Sequence, residues 1–157
     1  MSLYALGAIT PETFNKTMHT NVLLPYLLVQ SVLPSIRPGS SVINISSRAS
    51  RSHFGGPTTL YCASKAALEH LTRNLAAEVA AEKKITVNAV MPGGTATDAA
   101  RDAPPALIER VKNDATAEKR LGTPEEVADV VCFLAGGGGA RWINGDTVAV
   151  CGGAAMI

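Results

Sequence analysis

Tyr61 and Lys65 lie four positions apart at the start of a long apolar-periodic segment. Four residues of an α-helix rise about 6 Å and turn slightly more than once, so a helix would place the phenol and the ammonium on one face. A buried neighbouring cation can help to hold a phenol as phenolate near pH 7, which takes about 4 kcal/mol because the ordinary pKa of tyrosine is about 10. The spacing allows Tyr61 to act as a general acid/base, although taken alone it is more typical of a surface pair.

A serine just beyond a predicted strand offers a hydroxyl to the same region. Residues 41–46 form a short β-branched segment of the kind found in buried parallel strands, and Ser47 follows it. Ligands of open α/β sheets bind beyond the carboxyl ends of the strands, where this hydroxyl would lie. The polar loop 48–59 contains Gly55-Gly56-Pro57 and can return the chain to Tyr61. Loop serines often only cap turns, so the prediction rests on the convergence of strand, loop and helix.

The first predicted helix, about residues 11–36, contains a proline in its interior. Its start at Thr10-Pro11-Glu12 combines an N-cap hydroxyl, a proline and an early carboxylate. Pro25 cannot donate a hydrogen bond to the carbonyl of Asn21, four residues earlier, so we expect a kink that leaves this carbonyl free. A packing kink would explain the proline, and the alternative is that Asn21 offers its carbonyl to a water near an active site.

The remaining pattern alternates helices with buried strands. A helix over about 60–84 leads directly into a strand at 85–91, which stops at Pro92-Gly93-Gly94. A capped helix then begins at Thr123, and a last strand follows at 146–150. This alternation predicts an α/β fold with right-handed crossovers in a parallel sheet. Between these elements, residues 95–120 are alanine-rich and polar, and they fit either a lid over a ligand or an ordinary surface excursion.

The composition of the 157-residue chain limits the class of protein. A hydrophobic fraction of 46% with 17% charged residues suits one globular domain over residues 1–157. A net charge of +1, an aromatic fraction of 4% and the lack of a basic stripe argue against nucleic acid as a partner. The sequence has neither a secretory leader pattern at its start nor an apolar run of the roughly 18 residues that a membrane span needs. We therefore expect a soluble, cytoplasmic protein.

Two other kinds of site find no support in the sequence. The three cysteines and three histidines are widely spaced and fall at no metal-ligand spacing, so no metal site is predicted. No Gly-x-Ser-x-Gly elbow surrounds a serine, which argues against a serine hydrolase. The glycines of residues 136–139 lack the following Lys-Ser or Lys-Thr of a phosphate loop, and they fit the end of a helix better.

With these segments in place, the chain resembles the C-terminal part of a short-chain dehydrogenase/reductase of the type that includes 3-oxoacyl-carrier-protein reductases. The resemblance covers nearly the whole chain and rests on five ordered motifs, which are Asn21-Val22, Asn44-Ile45-Ser46-Ser47, Tyr61-Cys62-Ala63-Ser64-Lys65, Val87-Asn88-Ala89-Val90-Met91-Pro92-Gly93 and Arg120-Leu121-Gly122-Thr123-Pro124-Glu125-Glu126. It implies a partial Rossmann-type, doubly wound parallel sheet of about three strands with long flanking helices, lacking the N-terminal strands. It also implies an NAD(P)-dependent oxidoreductase that reduces a carbonyl or oxidises an alcohol.

The resemblance implies a chemical role for each of four matching residues. Tyr61 would exchange the substrate proton, while Lys65 would lower the pKa of the phenol and bind the nicotinamide ribose. Ser47 would hold the substrate carbonyl. The main-chain carbonyl of Asn21 would hold a water in a proton relay to Lys65. The family thus favours a catalytic pair over a surface pair for Tyr61 and Lys65.

Further cofactor contacts are implied for the segment that ends the central strand. Pro92 and Gly93 would face the nicotinamide carboxamide, with Thr95 binding through its backbone and Thr97 through its hydroxyl. The family's glycine-rich turn, Gly-x-x-x-Gly-x-Gly, has no match in residues 1–20. That turn cradles the pyrophosphate, and the residue that follows it selects NAD when it is acidic and NADP when it is basic, so the choice of cofactor stays open. The chain is expected to be the catalytic half of the fold without the adenosine-binding half.

The resemblance also implies partners. The expected substrate is a small-molecule carbonyl or alcohol, which residues 95–120 do not specify because they hold no distinctive aromatic or charged cluster. The family commonly associates through two long helices, here about 11–36 and 60–83, so a homo-oligomer, either a dimer or a tetramer, is expected. The first strand would expose a hydrophobic sheet edge unless something covers it. The alternative to an enzyme is a non-catalytic truncated paralogue that acts through oligomerisation.

Overall fold

The regular structure consists of strands and helices that alternate along the chain. The computed structural model describes residues 5, 7–53, 57–136 and 138–156, so Gly55 and Gly56 of the predicted loop lie outside the described residues. The strands are β1 (Ser41–Ile45), β2 (Thr86–Pro92) and β3 (Thr147–Val150). The α-helices are α1 (Pro11–Met18), α2 (Leu24–Val32), α3 (Thr59–Lys83), α4 (Asp98–Arg101), α5 (Pro105–Asp114) and α6 (Pro124–Ala135). Among these helices, none combines the length and the apolar character that crossing a membrane requires.

The three strands form one parallel sheet in the order β1-β2-β3. In the register of the first pair, Ser41 lies opposite Thr86 and Ile45 lies opposite Val90. In the second pair, Ala89 lies opposite Thr147. The predicted α/β fold with a three-stranded parallel sheet and long flanking helices is therefore confirmed.

The central strand β2 is covered on both faces. Val87, Ala89, Val90 and Met91 are all 0% exposed, as expected for a parallel strand between two layers of helices. Val87 and Val90 point to opposite faces because they are an odd number of residues apart. Val87 belongs to a buried cluster with residues of α2 and α3, whereas Val90 packs with Leu134 of α6. The sheet is thus sandwiched between α2 and α3 on one side and α6 on the other.

The predicted first helix is interrupted and shorter than expected. The helix α1 passes into a π-helical segment, His19–Leu23, which leads into α2. Within this segment the N–H of Leu24 donates to the carbonyl of His19, five residues earlier, directly before Pro25. The regular helix ends at Val32, four residues before the predicted end near Ile36. Regular α-helical hydrogen bonding is thus interrupted just before Pro25 by a π-helical segment, while the kink and the free carbonyl of Asn21 stay predictions.

The start of α6 agrees closely with the sequence pattern. The hydroxyl of Thr123 accepts from the N–H of Glu126 at 3.3 Å, and the carboxylate of Glu126 accepts from the N–H of Thr123 at 2.7 Å. Arg120 also donates to this carboxylate, at 2.6 and 2.9 Å. The guanidinium of Arg120, followed by the N–H of Thr123, lowers the pKa of Glu126 to about 2. This reciprocal cap confirms the predicted helix start.

Residues 95–120 contain two short helices, α4 and α5, and are held by two sets of contacts. The start of the segment is bonded to the residue just beyond its end, because the N–H of Gly122 donates to the carbonyl of Gly94 and the N–H of Ala96 donates to the carbonyl of Gly122, both at 2.9 Å. At the end of α5, Asp114 accepts from the buried guanidinium of Arg48 at 2.6 Å. The segment therefore lies against the turn that contains Ser47.

Candidate active site

The helix α3 brings Tyr61 and Lys65 to one partly buried surface. Both side chains are intermediate in exposure, and the Lys65 Nζ lies 6.0 Å from the centre of the Tyr61 ring. The ammonium donates to the carbonyl of Ile45, the last residue of β1, at 2.8 Å. Burial lowers the pKa of Lys65 below its ordinary value of 10.5. The pair therefore faces the carboxyl end of β1, where ligands bind in parallel sheets.

Asn21 lies in the π-helical segment and is joined to the same helix. Its side-chain Nδ2 donates to the Ser64 Oγ at 2.9 Å, and that hydroxyl donates to the carbonyl of Tyr61 at 2.7 Å. Ser64 is 0% exposed, so the hydroxyl at the centre of this connection is shielded from water. Asn21 and Lys65 also line one groove between α2 and the edge of β1. The structure thus brings Asn21, Tyr61 and Lys65 together, while the use of the Asn21 carbonyl in a proton relay remains a prediction.

Ser47 lies directly after the end of β1. The preceding residue, Ser46, extends the strand pairing by donating its N–H to the carbonyl of Val90 at 2.7 Å. The Ser47 Oγ accepts from the N–H of Ala49 at 3.2 Å and caps the 3-10 turn Arg48–Ser50, which packs on α3. A hydroxyl that accepts one hydrogen bond keeps its own proton available for donation. The capping role and a role towards a substrate oxygen are therefore compatible.

The segment from Pro92 to Thr97 lies at the carboxyl end of the central strand. Gly93 donates its N–H to the carbonyl of Val150 at 2.9 Å, and a methyl group at Gly93 would lie 2.8 Å from the Cα of Cys151. The Thr95 hydroxyl donates to the carbonyl of Gly93 at 3.2 Å. Thr97 is exposed, and its N–H donates to the carbonyl of Thr95 at 2.9 Å. The close packing of Gly93 fixes where these two threonines leave the sheet.

Two buried residues of the site were not assigned a role from the sequence. Ser64 links Asn21 to Tyr61, and Glu69 binds the turn that follows β1. Their spacing offers a signal, because Ser64 is three residues after Tyr61 and Glu69 is four residues after Lys65, so a helix places them near the face that carries Tyr61 and Lys65. Such spacing does not reveal which loop they meet, which is why the contacts could not be predicted.

Comparison with known proteins identifies relatives of the chain. A family model described as enoyl-(acyl carrier protein) reductase matches residues 4–155. The short chain dehydrogenase asqE of Emericella nidulans is 39% identical over 150 residues, a match that covers 92% of this chain and 55% of that protein. The dehydrogenase/reductase SDR family member 4 of Bos taurus is 40% identical over 156 residues, covering 95% of this chain and 53% of that protein.

Solved structures show the same likeness in three dimensions. The angucycline C-6 ketoreductase LanV with bound NADP is 33% identical with a TM-score of 0.89, covering 98% of this chain and 58% of that one. A blue fluorescent protein from a metagenomic library, in complex with NADPH, is 32% identical with a TM-score of 0.90, covering 99% and 62%. The chain spans about half the length of the curated relatives that it matches.

Proposed function

Because this chain belongs to the short-chain dehydrogenase/reductase family, we propose that it carries the proton-transfer site of an NAD(P)-dependent oxidoreductase, which reduces a carbonyl or oxidises an alcohol. The observation that carries this proposal is the placement of Lys65, which reaches the carboxyl end of β1 from the same helical face as Tyr61. A cation at that position can stabilise a neighbouring phenolate. The proposed catalytic residues are Asn21, Ser47, Tyr61 and Lys65.

Each of these residues has a distinct task in carbonyl reduction. The hydroxyl of Ser47 donates a hydrogen bond to the substrate oxygen and holds it near Tyr61. The phenol of Tyr61 gives its proton to this oxygen as negative charge develops there. The ammonium of Lys65 stabilises the phenolate that remains, and Asn21 supplies a carbonyl to a water that returns a proton through Lys65. In alcohol oxidation the same groups act in the reverse order.

The donor chemistry of the site fits the nicotinamide half of the cofactor. Lys65 can donate three hydrogen bonds, of which one goes to Ile45, so the ammonium can also bind ribose hydroxyls. Thr95 and the exposed Thr97 offer a backbone amide and a hydroxyl for the carboxamide, next to Pro92 and Gly93. The cofactor, when bound, supplies or accepts the hydride. We propose NADP or NAD in this role, and the NADP and NADPH held by the two solved relatives make NADP the first to test.

We also propose that residues 95–120 act as a lid over the substrate. The ion pair between Asp114 and Arg48 keeps the end of α5 close to the turn that contains Ser47. A substrate held by Ser47 would therefore meet α5 on its outer side. The whole chain, residues 1–157, is proposed to be one domain that acts in the cytoplasm on a small carbonyl or alcohol.

A second candidate function is association without catalysis. It is supported by exposed apolar side chains on the interrupted first helix, which include Leu24, Leu27 and Leu28 at 42–58% exposure. Such a surface is typical of an interface. In this alternative the chain is a truncated paralogue that acts through oligomerisation. The enzyme proposal requires the chain to bind a nicotinamide cofactor, whereas association does not.

Titration of the chain with NADPH and with NADH, followed by nicotinamide fluorescence, tests the enzyme proposal. We expect micromolar binding and carbonyl-dependent oxidation of the reduced cofactor, and we expect Tyr61→Phe to abolish that turnover because the phenol proton is lost. Tyr26→Phe, which removes a hydroxyl from the exposed surface of α2, is the matched control and should leave turnover unchanged. Absence of binding together with a stable oligomer would favour association instead.

A further inference from the structure

Glu69 is a buried carboxylate that the proton-transfer steps do not use. It is 3% exposed and lies on α3, four residues after Lys65 and eight after Tyr61. Burying a carboxylate is costly unless hydrogen bonds and an opposite charge compensate it. The partners that compensate this carboxylate therefore indicate what it holds in place.

The carboxylate of Glu69 accepts hydrogen bonds from three side chains of one short segment, residues 46–51. The Oε1 atom accepts from the Ser46 Oγ at 2.7 Å and from the Ser50 Oγ. The Oε2 atom accepts from the Arg51 Nε at 2.8 Å, and Arg51 supplies the opposite charge. Because the three donors lie on both sides of Ser47 in the sequence, the carboxylate holds the turn at each end.

Ser50 connects this carboxylate to Ser47. The Ser50 Oγ, besides contacting Glu69, lies 2.7 Å from the carbonyl of Ser47. Tyr61 and Glu69 belong to one continuous helix, in which eight residues span about 12 Å. Tyr61 and the turn that contains Ser47 are thus connected through one continuous helix and a buried charged contact at its side.

We propose that Glu69 is a positioning residue that holds the Ser47 hydroxyl in place relative to Tyr61. Its kinetic consequence rests on the proposed function, because that function gives Ser47 and Tyr61 their tasks. The proposal also predicts that Glu69 stabilises residues 47–51 against α3, and this can be measured without any catalytic turnover. The proposal can therefore be tested at both levels.

Hydrogen exchange of the full chain tests the fastening. In Glu69→Ala we expect the amides of residues 47–51 to exchange about tenfold faster or more, with no change in residues 86–91, because only the turn loses its anchor. Glu69→Gln keeps one acceptor oxygen and should show a smaller increase. Glu78→Ala, at an exposed position of α3, is the matched control. Exchange that rises equally in both segments, or in neither, would overturn the proposal.

Kinetics test whether Glu69 acts through Ser47. We expect Glu69→Ala to lower kcat about 100-fold, the order that a 1 Å misplacement causes, with the Kd for NADPH within about twofold of the original value. In a Ser47→Ala background the same substitution should lower kcat by less than about threefold, since its target is gone. Additive losses would overturn the proposal. If the unaltered chain shows no turnover, the proposed function fails, and hydrogen exchange alone decides the positioning role. If Glu69→Ala does not fold, Glu69→Gln and Ser50→Ala replace it in both experiments.

Discussion

Lys65 couples the proposed chemistry to the stability of the fold. Burial lowers its pKa below 10.5 because the charged form loses hydration. Between this lowered pKa and 10.5, the unfolded chain binds more protons at this side chain than the folded chain does. The free energy of unfolding therefore rises with pH across that window, and the full cost of the buried charge applies below it.

The substitution Lys65→Met should remove this pH dependence. At pH 7 we expect the free energy of unfolding of the variant to rise by the cost of burying the charge, less the contribution of the lost hydrogen bond to Ile45. As pH rises towards 10.5, its advantage over the original chain should shrink. Urea unfolding at a series of pH values from 7 to 11 measures the difference, with Lys16→Met on the exposed face of α1 as the control for a lost charge. A difference that does not vary with pH would contradict the prediction.

At the scale of residues, the sequence predicts which groups meet on a helix better than which groups meet across loops. The spacing of Tyr61 and Lys65 was enough to place both on one face, since helix geometry is fixed. The contact between Glu69 and the Ser47 turn was not predictable, because it depends on the path of residues 46–51. The catalytic roles themselves stay predictions until turnover is measured.

The connection between β2 and the segment that follows it contains a closely packed glycine. Gly93 lies against the backbone of Cys151 at the end of β3, and its N–H is bonded to Val150. A side chain at this position would push the two strand ends apart. The location of Thr95 and Thr97 is therefore tied to the packing of two neighbouring strands.

The substitution Gly93→Ala should destabilise the fold by about 1–3 kcal/mol, the usual cost of inserting a methyl group into a packed interior. The added methyl would lie 2.8 Å from the Cα of Cys151, which is backbone and cannot rotate away. Urea unfolding gives the free-energy change. Gly138→Ala is the matched control, because a methyl group there would have no atom within 4 Å. Equal stabilities of the two variants would show that the strand ends can relax.

The interrupted first helix shows what element-scale prediction can and cannot supply. Pro25 indicated that the regular hydrogen bonding must fail near Asn21, and it does. The sequence did not indicate a π-helical segment. A kink, a break and a π-helical segment are all compatible with a proline that cannot donate a backbone hydrogen bond. The choice among them is made by packing, in which Asn21 bonds to the buried Ser64.

At the scale of the whole molecule, the buried half of the fold is the more predictable half. The β-branched and apolar segments predicted all three strands within one or two residues, since burial on both faces demands such side chains. The outer edge of β1 behaves differently. Within the described residues β1 pairs only with β2, and Ile45 is 47% exposed.

The chain should therefore self-associate. The edge of β1 adjoins the exposed leucines of α2, and together they form an apolar surface whose burial would be favourable in water. Light scattering should detect dimers or larger species at micromolar concentration. Leu28→Lys should shift the distribution towards monomer, because Leu28 is 58% exposed and lines the groove beside β1, and the added charge would have to be buried. Leu107→Lys, at an exposed leucine of α5, is the matched control, and a monomeric original chain would refute the prediction.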